Sequence, residues 1–343
     1  MATVHDLIER FGYDTVRKAS TLKHGPTGEV IEFEHHKAAA VIDNGSLPIT
    51  TETVDAAYNM LTQERDRMGV TYSGFAFTSL PHKRLKTDQP WDRKHSGVEL
   101  RIHPGELPSP TGGYQLYGVP YGAKARLILI YLMGEAIGNN TQTVTLGKSM
   151  YEWLGKMGLS IGGQTYKSVR DQALRLSACS LTFTWRDGKR VAFQKDQLIK
   201  GGFFASEGAD DDRQARLWDD AVTLGDTFFA ELKNHYIKLS EHALAQMTDN
   251  SLSIDLYVWL AFRLPHISRA ERISWPALAE QFGQNYGRLR DFRRRFIDAL
   301  SLTLAVYQDA NIDVHEQGLT LHPSRAPLEH RKVPAGRIAG DHR

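Results

Sequence analysis

Apolar positions along this chain recur with two periods, and the alternation between them predicts a mixed α+β protein. The run AKARLILIYLMGEAI, from Ala123, is apolar on every side and reads as a helix buried nearly all round. A short strand, QTVTL, follows it. Then Met150, Trp153, Leu154 and Met157 fall at i, i+3, i+4 and i+7, the stripe of an amphipathic helix. After the loop GLSIGG, the segment QTYKSVRDQALRLS turns Tyr166, Val169, Ala173 and Leu176 inward. Gln164, Lys167, Asp171 and Arg175 then point outward, with Ser168 and Arg170 at the flanks. SLTFTW alternates with period two, turns at Asp187 and Gly188, and returns through Lys189 and Arg190 to Phe193 as a hairpin.

The same order of elements is stated a second time. IDLYVWLAFRL is again apolar all round, SWPALAEQF offers Trp275, Leu278 and Phe282 on one face, and Gly283 ends that helix. GQNYGRLRDFRRRFIDAL then carries five arginines between Arg288 and Arg295. On a wheel of about 100° per residue, Leu289, Phe292, Phe296 and Leu300 share one narrow sector. Arg290 and Arg294 lie opposite, flanked by Arg288 and Arg295, while Arg293 snorkels at the core edge. Strand-like pieces LTLAVY and GLTLHP close this unit. Upstream, a helix is expected over Thr53 to Arg67. Strand-like runs YSGFAFTSL and GVELRIHP follow it, separated by the basic segment HKRLKTDQPWDRKH.

This reading divides the chain into an N-terminal extension (1–70) with few readable elements and a first unit with its preceding strands (71–206). An acidic linker or loop (207–225), a second unit (226–324) and a basic, Pro/Gly-rich tail expected to be disordered (325–343) complete it. The expected fold is α+β, with tandem winged helix-turn-helix domains. In that arrangement the polar helix of each unit enters the major groove and the hairpin touches the backbone beside it. A recognition helix needs both of its faces, because the apolar stripe anchors it while the outer face reaches phosphates and base edges.

Among 343 residues, 42 Lys and Arg against 40 Asp and Glu leave a net charge of +2, so the basic helices are a matter of placement and not of totals. The single cysteine, Cys179, excludes an internal disulfide and any multi-thiolate metal site, as in a reducing cytosol. Charged residues interrupt the first apolar positions, so no signal peptide is expected. No continuous apolar run is longer than Leu127 to Met133, which is far short of the roughly 20 residues that span a bilayer. A cytoplasmic protein is expected. Gly158 to Gly162 matches G-x-S-x-G, but a helix precedes Ser160 where a nucleophile elbow needs a strand. Gly147-Lys148-Ser149 lacks the first glycine of a phosphate-binding loop, with Gln142 in its place. His35 and His36 have no further ligand pair at useful spacing, and no His-x-His occurs to hold the metal of a nickase. No catalytic residue, cofactor or metal is expected.

The segments YSGFAFTSLPHKRL, GVPYGAKARLILIYL, LGKSMYEWLGKMGLSIGGQTYKSVRDQALRLSACSLTF and GLTLHPS together resemble the RepA family of plasmid replication initiators, over about Tyr72 to Ser324. Leu174, outward on the wheel, departs from the polar residue expected there. The resemblance implies a protein that binds repeated sequences (iterons) at a plasmid origin, helps open the duplex and brings in host replication proteins such as the initiator and helicase. Related initiators also repress their own promoters as homodimers. The expected DNA contacts are Lys83, Arg84, Gln164, Lys167, Ser168, Arg170, Arg175, Lys189, Arg190, Arg288, Arg290, Arg294 and Arg295. The alternative is a tandem winged-helix transcriptional repressor without a replication role.

Overall fold

The computed structural model describes residues 3–20, 47–63, 66–86, 88–109, 112–146, 150–187, 190–202, 221–284 and 286–328. The chain opens with helices α1 (Val4–Phe11), α2 (Tyr13–Ser20) and α3 (Thr51–Thr62). Strand β1 (Met68–Tyr72) leads through a 3-10 turn to β2 (Trp91–His95), β3 (Val98–His103), β4 (Gly105–Pro108) and β5 (Tyr114–Tyr117). Next come α4 (Gly122–Gly138), β6 (Thr143–Thr145), α5 (Met150–Lys156) and α6 (Gly163–Ala178). Strands β7 (Ser180–Asp187), β8 (Arg190–Gln197), β9 (Ile199–Gly202) and β10 (Ala221–Leu224) precede α7 (Asp226–Asn234), β11 (Tyr236–Ser240) and α8 (Glu241–Ala245). The last elements are α9 (Ser251–Arg263), β12 (Glu271–Ser274), α10 (Trp275–Phe282), α11 (Leu289–Val306), β13 (Ile312–His315) and β14 (Gly318–Leu321).

The repetition read from the sequence is present, with one exchange of parts. In the second unit, α9 is followed by β12, α10, α11 and the hairpin β13–β14, and the sheet order is β12-β14-β13. In the first unit, α4 is followed by β6, α5 and α6, and the matching sheet is β6-β10-β9. The hairpin β7–β8, expected to complete this unit, instead extends the sheet β2-β3-β7-β8, with Leu100 opposite Phe183. Alternation identified the hairpin but not its partner, because β7 is amphipathic toward whichever layer offers a buried face. Residues 221–224, assigned to a linker, are strand β10 between β6 and β9. The segment 203–220, which holds the acidic run, lies outside the described residues.

Helices α4 and α9 are buried on nearly all sides because each is sandwiched, α4 by β1, α6 and α9, and α9 by α4, α11 and the 3-10 turn. Asn250 caps α9 by accepting from the amide of Ser253 (3.1 Å), and Pro276 sits in the first turn of α10, where no amide is needed. Between α5 and α6, Gly158 has φ +68°, and a Cβ there would stand 2.7 Å from Ala245 Cβ, so the turn requires glycine.

Three expectations are corrected. The run from Tyr72 is a 3-10 turn and coil, with the strand just before it at Met68–Tyr72. LTLAVY is helical through Val306, not a strand. Leu302, Thr303, Ala305 and Val306 are all buried because α3 covers this end of α11, which hides the helical period from a pattern reading. The described part of the N-terminal extension is ordered into helices packed on α11. His5 Nε2 hydrogen-bonds the carbonyl of Ala305 (2.8 Å), Ser301 donates to the carbonyl of Pro48, and Arg17 pairs with Asp55 (2.7 Å). His35, His36 and the tail beyond residue 328 lie outside the described residues.

Candidate nucleic-acid interface

Helix α11 presents its two faces as the wheel requires, apart from its first residue. Phe292 and Phe296 are buried, their rings 5.4 Å apart, and Phe296 meets Trp275 edge-on at 5.7 Å. Arg293 lies 5.1 Å over the Trp275 ring, covering the core edge with its stem. Leu289, expected in the core, is 46% exposed. It is the first helical residue, one turn ahead of Phe292, where the buried stripe begins. Arg288, Arg290, Arg294 and Arg295 are exposed. The Arg290 side chain is 84% exposed, with its nearest carboxylate, Asp291, at 4.0 Å, a separation at which an exposed pair contributes little. Arg288, Arg294 and Arg295 have no carboxylate partner among the described residues, so this end of α11 carries a concentration of uncompensated charge.

Helix α6 is different. Gln164 and Lys167 are exposed, and Ser168 and Arg170 are half-buried at the flanks. Its N-cap is Gly162, with no side chain to occupy the first amides and no acid in the first turn, which leaves the positive end of the helix dipole open. Arg175 does not face solvent, and its assignment as a DNA contact is corrected. It is 7% exposed, donates Nε to Asp171 Oδ2 (2.9 Å), and lies 5.3 Å over the ring of Tyr121. The hairpin β4–β5 and the segment 118–121 pack over the last turns of α6, and Gln172 accepts from the amide of Tyr121 (2.7 Å). A Cβ at Gly105 would come within 1.9 Å of the carbonyl of Ala178, which shows how closely the hairpin approaches. The wheel gave the correct phase but could not show that another element covers this sector. The face of α6 open to a ligand is therefore its first two turns. Leu174 is half-buried at the margin of the covered part.

Lys83 and Arg84 are exposed on the segment that leads to β2, just beyond Pro81, whose carbonyl accepts from the amide of Gly122 at the start of α4. Arg190 begins β8, and Lys189 lies outside the described residues.

Two arginines that the sequence reading passed over are buried. Arg126 on α4 forms a bidentate pair with Asp255 on α9, Nε to Oδ1 at 2.6 Å and Nη2 to Oδ2 at 2.7 Å. Arg93 on β2 donates to the carbonyl of Gln281 in the last turn of α10. A signal was present, since Arg126 and Asp255 are opposite charges set against the apolar stretches of their two helices.

Among the described residues, no group of three or more His, Cys, Asp or Glu is placed to hold a metal ion. Nor is any helix among them long and apolar enough to cross a membrane. Ser160 is exposed, its hydroxyl 3.4 Å from that of Thr165. Cys179 is fully buried, and burial pushes its thiol up to about 12, away from nucleophilic use.

No curated protein sequence matches the chain. The crystal structure of domains 2 and 3 of RctB is similar in fold, with a TM-score of 0.50 at 14% identity, covering 75% of this chain and 99% of that one. A second RctB structure, of domains 2-3, has a TM-score of 0.45 at 15% identity over 70% of this chain and 83% of its own. Residues 119–277 match the family described as plasmid encoded RepA protein, a span that runs from just before α4 into α10 and stops short of α11. Over that span the chain is similar to the plasmid-encoded RepA proteins.

Proposed function

We propose that this chain is a sequence-specific, double-stranded-DNA-binding initiator of plasmid replication. It binds direct repeats at the origin and helps open the duplex for host replication proteins, including the host initiator and helicase. Each repeated unit acts as a winged helix-turn-helix, the first with β9–β10 as its wing and the second with β13–β14. The observation that carries this reading is the duplication itself. Two units share one order of elements and one sheet order, and each presents a helix whose open face is polar or basic and whose other face is core.

In this reading α6 supplies Gln164, Lys167, Ser168 and Arg170 from its first two turns, the end that approaches base edges when such a helix enters the major groove. Amide and hydroxyl groups there suit selective base contacts. Arg288, Arg290, Arg294 and Arg295 on α11 favour guanine edges and phosphates. Lys83, Arg84, Lys189 and Arg190 contact the backbone and set register without reading sequence. No step of the proposal uses a catalytic residue or a cofactor.

The test is binding of the purified protein to labelled duplexes that tile the DNA flanking its gene, followed by fluorescence anisotropy at fixed salt. Tight binding is expected only to duplexes carrying direct repeats beside an A·T-rich segment. Equal affinity for every tile would overturn sequence specificity, and selective binding to a lone inverted repeat at the promoter would overturn the origin role.

A further inference from the structure

Resting on the DNA-reading proposal above, we infer that Arg126, Asp255 and Arg93 are positioning residues that set specificity. They clamp the two units together at one relative rotation and so fix the spacing between the two halves of the DNA site.

Arg126 is 5% exposed and Asp255 7%, on the core helices of different units. Every other direction of the guanidinium is also used, Nη2 donating to the carbonyl of Leu80 (2.7 Å) and Nη1 to those of Gly122 (2.9 Å) and Pro81 (3.3 Å). A bidentate guanidinium–carboxylate pair is planar and directional, so it tolerates little rotation of α9 against α4. Apolar contact between the same helices would allow sliding, because it has no preferred direction. Replacing such a buried pair by hydrophobic groups of similar size is often neutral or stabilising, so geometry and not net stability is what this pair contributes.

Arg93 supplies a second fixed point. It is 5% exposed, lies on the sheet attached to the first unit, and has no carboxylate within bonding distance among the described residues. It holds instead the negative end of α10, while Gln281 Nε2 returns a bond to the carbonyl of Ala76 (3.2 Å). Residues 283–288 alone separate α10 from α11 along the chain, and α6 packs directly on α4. Fixing α4 to α9 and β2 to α10 therefore fixes α6 relative to α11. Two points on separate elements define a rotation as well as a distance.

The test uses the full chain carrying Cys179→Ala, with spin labels at Glu152→Cys on α5 and Ala277→Cys on α10, both exposed positions. The clamp variant combines Arg126→Met, Asp255→Leu and Arg93→Met. Pulsed electron resonance should give one narrow distance in the parent and a clearly broadened distribution in the folded variant. The DNA probes are the duplex that the parent protects on its origin and the same duplex with five base pairs inserted at its centre, half a turn at about 10 base pairs per turn. The parent should lose about tenfold or more in affinity on insertion, and the clamp variant markedly less. If the triple variant does not fold, Arg126→Lys, which keeps the charge but not the fork, is carried through both measurements. A folded variant with the parent's narrow distance and spacing preference overturns the clamp alone. A parent that protects no origin DNA overturns the DNA-reading proposal itself.

Discussion

Phe292 and Arg290 stand two residues apart on α11 and face opposite media, so they separate folding from binding. Phe292→Ala empties a fully buried aromatic site and should cost about 3–5 kcal/mol in chemical denaturation. Arg290→Ala with Arg294→Ala should leave the unfolding midpoint unchanged and weaken binding to the half of the site that α11 contacts. The reverse pattern would mean that the two faces have been assigned to the wrong media. Arg175→Ala belongs with the folding residues. Loss of its bond to Asp171 and its stacking on Tyr121 should destabilise by roughly 1–3 kcal/mol, with base preference in a binding-site selection unchanged. His82 supplies a pH signature. Burial, assisted by the nearby Arg126 charge, lowers its pKa from 6.5 to about 4. The unfolded chain therefore takes up this proton more readily than the folded one. The associated stability is fully present above about pH 6.5 and is lost as pH falls toward 4. His82→Asn should flatten that part of a melting-temperature profile, and an unchanged slope would remove His82 from the account.

At the scale of elements, the sequence showed what each segment is and showed less well what it lies against. The helices α4, α9 and α10 and the arginine-rich first turns of α11 were legible because their apolar spacing is set within a dozen residues. The core positions Phe292, Phe296, Val169 and Leu176 followed from the same spacing. What failed was long-range. The partner of β7 is β3, about 80 residues earlier in the chain, the cover over Arg175 comes from β4–β5, and the cover over Leu302–Val306 comes from α3. Periodicity carries no information about such neighbours. Gly105→Val tests the most consequential of these contacts, since a side chain there collides with the carbonyl of Ala178. Hydrogen exchange should show β4–β5 and the last turns of α6 losing protection together, while α11 keeps its own. Loss confined to the hairpin would show that it does not hold α6.

For the whole molecule, a small net charge conceals the basic face of α11 and the two cations, Lys167 and Arg170, on the polar face of α6, and their combined action should appear as a counterion effect. With about six phosphates neutralised, log K should fall with log salt at a slope near −5, a value read from anisotropy titrations between low and physiological salt. A flat response would leave the exposed arginines of α11 without a phosphate role. Under the proposed function both units read DNA, each in its own groove. The most direct measurement is a pair of hydroxyl-radical footprints on a single origin repeat, one for Lys167→Ala with Arg170→Ala and one for Arg290→Ala with Arg294→Ala. Protection should be lost from one half of the repeat in the first variant and from the other half, about one helical turn away, in the second. Protection lost from the same half in both would contradict it and leave a single DNA-reading unit.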